Sequence, residues 1–155
     1  MWIIKINKGF SVIELIIVVA FLGLIGASAV FFLRNQFLGT LESDSQIIKA
    51  RLQEAQIRAI SGLEGKQWGI HFDNNATPPF YALFPGSSYS TASSTYFLSN
   101  LVEFQTPGTG VTKDIIFNKL SGVTAATDSV IIRLKNNTSQ IKTITVSAQG
   151  KISVE

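Results

Sequence analysis

The residue whose type and position stand out most is a carboxylate. Glu14 lies inside a run of 24 residues, Phe10 to Leu33, whose other non-apolar members are Ser11, Gly23, Gly26 and Ser28. In a spanning helix a carboxylate costs up to ~2.5–3.5 kcal/mol, and less where it reaches the interface. Glu14 therefore either extends to the lipid head groups or meets a cationic partner in an assembled state. Elsewhere the chain is poorly equipped for chemistry. It has no Cys, which removes disulfides, thiolate zinc sites, iron–sulfur clusters and thiol nucleophiles. His71 is the single histidine and falls in a strand-like run, where a structural role is the default. No Ser stands in a Gly-x-Ser-x-Gly frame. Asp73-Asn74-Asn75 lacks the spacing of a calcium loop and reads as a turn. Gly108-Thr109-Gly110 lacks the lysine of a phosphate loop and reads as another. Arg133, Lys135, Lys142 and Lys151 cluster in the last strands. They form either a solvated face or a contact for a polyanion such as DNA. No catalytic, cofactor or metal site is expected.

Three kinds of element must carry these residues. As a helix, the run Phe10–Leu33 would be about 36 Å long, against roughly 30 Å of hydrocarbon. Lys5 and Lys8 before it and Arg34 after it weakly favour a cytoplasmic N-terminus. The run is too long for a secretory signal, although Ala27-Ser28-Ala29 has the look of a cleavage box. Beyond it Leu41, Ile48, Leu52, Ala55, Ala59 and Leu63 recur at gaps of 7, 4, 3, 4 and 4, one face of an amphipathic helix. Lys49, Gln53, Glu54 and Arg58 occupy the opposite face. The spacing predicts one helix over residues 10–61, with a break near Gly39 as the alternative. From Lys66 the period changes to that of strands: Gln67–Phe72, Phe80–Phe84, Tyr96–Phe104, Ile115–Asn118, Ser129–Leu134, Ile141–Ser147 and Lys151–Val154, with Gln149-Gly150 as a tight turn. Ser87–Ser94 reads as a surface loop. The fold class is α+β, with a mostly antiparallel β-domain covering the helix stripe. The 155 residues suffice for this and little more, and a net charge of +3 is too mild to imply nucleic acid by itself. With 46% hydrophobic residues the chain is not disordered.

The sequence Lys8-Gly9-Phe10-Ser11-Val12-Ile13-Glu14-Leu15, followed by an unbroken apolar helix, resembles the class III signal of type IV pilins and type II secretion pseudopilins. In that family a prepilin peptidase cuts after the glycine and N-methylates the new first residue. A small residue there lets a protease approach the backbone closely. The resemblance implies cleavage between Gly9 and Phe10, methylation at Phe10, and an assembly role for Glu14 as partner of a neighbouring subunit's N-terminal ammonium. It divides the chain into a leader (1–9), a transmembrane or filament-core helix (10–34), the amphipathic half of that helix (35–61) and a β-rich domain (62–155). The stretches Lys49–Ala59, Gly65–Ile70 and Ile144–Ile152 are similar, more loosely, to the minor pseudopilin H and minor pilin T branch.

The same resemblance implies a non-enzymatic prepilin-like structural subunit without cofactors, assembled through its helix into a pilus or secretion pseudopilus as a minor component. Its partners would be the prepilin peptidase, other pilin-like subunits and, before assembly, membrane lipid. Its expected place is the bacterial inner membrane, N-terminus in the cytoplasm, and then a periplasmic or surface filament. Two alternatives are a DNA-binding minor pilin of an uptake system and a single-pass anchored β-domain that does not assemble. Co-expression with a prepilin peptidase should yield a mature chain beginning at Phe10, and replacing Gly9 with a bulky residue should leave the full-length chain in the membrane. Intact-mass analysis decides; a product starting near Ser28 would mean a secretory signal instead.

Overall fold

The computed structural model describes residues 11–155, without the side chains of residues 27–38. The chain divides into two compact units, Met1–Gln36 and Phe37–Glu155. Helix α1 covers Val12–Ile60 as a single element. After it come a 3-10 turn at Leu63–Gly65 and eight strands: β1 (Trp68–Asp73), β2 (Phe80–Pro85), β3 (Ser94–Phe97), β4 (Val102–Thr106), β5 (Thr112–Phe117), β6 (Asp128–Leu134), β7 (Ile141–Val146) and β8 (Ile152–Val154). They form two four-stranded sheets in the orders β3-β2-β1-β5 and β4-β6-β7-β8. Every strand pair is antiparallel.

In the second unit the helix stripe is covered as its spacing requires. Leu41, Ile48, Leu52, Ala55 and Ala59 are buried with Trp68, Ile70 and Phe72 of one sheet and Val130, Ile132 and Ile144 of the other, in one core. Apolar area removed from water is the main favourable term here. Two of the five helix positions are alanines. Beside them Gln56 ties the helix to two loops: its Nε2 donates to the carbonyls of Gly122 and Gly150, at 2.9 and 2.8 Å. Leu63, expected on the stripe, is instead exposed in the 3-10 turn. The helix ends at Ile60, so its period no longer applies three residues later.

Two departures from the expected strands exceed one or two residues. The run Tyr96–Phe104 is two strands in two sheets, β3 and β4. Residues 98–101 turn the chain between them: the Val102 amide donates to the Ser99 carbonyl, and Ser99 donates its amide and its hydroxyl to the Asp44 carboxylate on α1. A charged acceptor takes the place of a ladder partner, and the strand stops. At the other boundary β5 begins at Thr112, before the apolar Ile115, because Thr112, Lys113 and Asp114 pair with β1.

The hairpin from β7 to β8 turns through Gly150, which has a φ of +82°. A Cβ at that position would run into the Gly122 carbonyl and the Gln56 amide. Gly150→Ala is therefore expected to lose more than about 2 kcal/mol of stability. Gly108→Ala, where a Cβ meets nothing within 4 Å, should stay within about 0.5 kcal/mol of the parent. Urea denaturation of the two variants side by side makes the comparison.

Candidate functional site

Glu14 lies in the first turn of α1. Ser11 precedes the helix, and its carbonyl accepts the amides of Glu14 and Leu15 at 3.0 and 3.2 Å. Serine followed three residues later by glutamate is the spacing of a capping box, and a negative charge in the first turn favours helix formation. Around Glu14 the side chains of Val12, Ile13, Leu15, Ile16 and Ile17 are exposed, by 50% or more each. Glu14 makes no ion pair among the described residues. Among those residues, too, no helix is long and apolar enough to cross a membrane. Gly9 and Phe10, the expected processing junction, lie outside the described residues. The expectation of a membrane span over residues 10–34 thus rests on the sequence.

The four basic residues near the C-terminus are not on one surface. Arg133 lies on the outer face of β6, where its Nε donates to Glu103 Oε1 at 2.7 Å. Lys135 follows just beyond the strand and lines the same cleft as Arg133. Lys142 is opposite the buried Ile132 in the β6–β7 register, on the face turned to the helix. Its ammonium is 2.8 Å from Glu42 on α1. The Lys142 bond, then that of Gln46, holds the Glu42 carboxyl below the usual carboxylate range. Lys151 is exposed in the β7–β8 turn.

Other polar groups are occupied with structure. The Asp73 carboxylate accepts the amides of Asn75 and Ala76, so the Asp-Asn-Asn segment is an Asx turn. Among the described residues no cluster of side chains is arranged to hold a metal ion. His71 is buried and donates its Nδ1 proton to Asp114 at 2.5 Å. Its ring stacks on Tyr89, with centroids 3.8 Å apart, and this holds the serine-rich loop over the outer face of the first sheet. Sequence reasoning gave no sign of this contact or of the Asp44–Ser99 pair, since each joins residues far apart in the chain. The alternation of strands carried a partial signal for His71–Asp114, because the two are direct cross-strand partners.

Neither a family model nor a curated protein matches the sequence. The solved structures do match. The type IV minor pilin FimU of Pseudomonas aeruginosa strain PAO1, known in two crystal forms, aligns with TM-scores of 0.54 and 0.56 at 17% identity. The alignments cover 74% and 81% of this chain and 92% of FimU. The chain has a pilin-like fold. The minor pseudopilin EpsH, from the Type 2 Secretion System of Vibrio cholerae, aligns at a TM-score of 0.53 and 13% identity, over 74% of this chain and 95% of EpsH. One neighbour is a minor pilin and the other a minor pseudopilin, so the pilin-like fold is clear and the branch is not resolved.

A buried phenol beside Asp44 provides a test of the pilin-like packing. Tyr81 is 2% exposed. Burial, reinforced by the Asp44 charge, pushes its pKa up to about 12. A raised folded-state pKa means stability that is complete below the unfolded value, about 10, and is lost as pH rises from there through the folded value. The wild-type chain should lose up to about 3 kcal/mol between pH 10 and 12 from this residue. Tyr81→Phe should flatten that part of the curve, as read by denaturation at a series of alkaline pH values.

Proposed function

We propose that the chain is a prepilin-like structural subunit that is cut between Gly9 and Phe10, N-methylated at Phe10 and assembled through α1 into a pilus or secretion pseudopilus as a minor component. The observation that carries this reading is the pairing of a pilin-like fold with a carboxylate, Glu14, at the start of an uncovered apolar helix. The exposed side chains from Val12 to Leu24 lie outside the chain's own core. Lipid would cover them first, with the N-terminus in the cytoplasm, and neighbouring subunits' helices afterwards.

Cutting the leader creates a new ammonium at Phe10, four residues before Glu14. In a low-dielectric filament the two charges of adjacent subunits attract, with about 4 kcal/mol at ~4 Å and an effective dielectric near 20. Desolvation of both ions offsets much of this. The pair would then set the axial register more than it adds stability. DNA binding through the four C-terminal basic residues is less well supported, because they do not share one surface: Lys142 is paired with Glu42 on the helix side of β7, and Arg133 lies on the opposite face of its sheet.

Glu14→Gln separates assembly from mere anchoring. The amide is nearly isosteric and cheaper to bury, so insertion and cleavage should proceed as in the parent. Recruitment into filaments should fall by roughly tenfold. Crosslinking to the other pilin-like subunits, run beside a processing assay, reads both steps. Normal recruitment with normal cleavage would overturn the register pairing, and failure of cleavage in the parent would overturn the subunit reading altogether.

A further inference from the structure

A cleft of about 440 Å³ opens in the β-domain where the loops after β1, β3 and β4 meet the ends of β4 and β6. Its volume is in the range of small-molecule sites. Its lining combines three kinds of group. Arg133 and Lys135 are cations. Arg133 uses its Nε on Glu103, and its two terminal nitrogens have no acceptor among the described residues; Lys135 is exposed and makes no ion pair among them. Asn74 and Glu103 are acceptors. Asn74 is buried, and its Nδ2 donates to the carbonyls of Phe104 and Pro107, which fixes the amide's orientation and leaves its Oδ1 as an acceptor. Glu103 has one oxygen on Arg133 and the other to spare. Pro78 and Pro79 add flat apolar surface.

We infer that this cleft binds an acidic sugar, a polyhydroxylated ring bearing one carboxylate. The charges decide for a single carboxylate over a polyanion: two cations and one glutamate leave a net charge of +1 in the cleft. Asn74 Oδ1 and the free Glu103 oxygen call for hydroxyl donors, which a phosphate diester lacks. The cations call for a carboxylate, which a neutral sugar lacks. The two proline rings suit the C–H face of a pyranose. Binding of this kind does not depend on filament assembly.

The test is ligand-observed NMR titration of the full chain in detergent micelles with galacturonate, using galactose as the neutral twin. Galacturonate should saturate with a dissociation constant on the order of 1 mM, as expected for so few atoms. Galactose should bind about tenfold more weakly, or not at all, for want of the charge-assisted bonds. Lys135→Glu, at an exposed position whose side chain makes no ion pair among the described residues, should weaken galacturonate by about tenfold, and Lys135→Arg should retain it. The proposal is overturned if galacturonate does not saturate, if galactose binds equally well, or if Lys135→Glu changes nothing. A single-stranded oligonucleotide that displaces galacturonate at lower concentration would also overturn it and assign the cleft to nucleic acid.

Discussion

The apolar stripe on the second half of α1 is the constraint on which the β-domain depends. Leu41, Ile48, Leu52, Ala55 and Ala59 lie at helical spacing and are buried together. Residues of both sheets pack with it in a single core, so the inner faces of the two sheets and the stripe are buried together. The helix brings polar anchors as well. Asp44 takes the Ser99 turn, Gln56 takes the two glycine carbonyls, and Glu42 pairs with Lys142. Each anchor ties a loop or strand end to the helix, so the loops inherit their positions from it.

The first part of α1 is under the opposite condition. Its apolar residues from Val12 to Leu24 are exposed, and no stripe separates a dry face from a wet one. Such a helix is compatible with lipid or with other helices, and unfavourable in water. The one charged residue in that stretch, Glu14, is placed in the first turn, where the helix dipole favours it. The two parts of the element thus differ: one has its apolar face covered by the β-domain, and the other leaves its apolar side chains exposed.

Within the β-domain, polar side chains mostly serve local architecture. His71 supports Tyr89 and its loop, Asp73 closes a turn, and Lys113 reaches Asp128 and the Ser129 carbonyl. Against that background the cleft beside Arg133 and Lys135 is distinctive, because its cations and acceptors have bonding capacity that the fold leaves unused.

The sequence by itself determined the elements and their faces. Helical spacing from Leu41 to Ala59, strand alternation around Val130–Leu134 and the glycine at the last hairpin are local patterns, and local patterns are set by backbone geometry. The motif Gly9–Glu14 likewise carried the functional reading, since it is contiguous in the chain. Tertiary structure decided what contiguity does not encode. It parted Tyr96–Phe104 into two sheets through a carboxylate 55 residues away, and it ended the stripe before Leu63. It also separated Lys142 from Arg133, although they are close in sequence, because antiparallel register sends them to opposite faces. The cleft arises in the same way, from loops that only the packing of two sheets on one helix brings together.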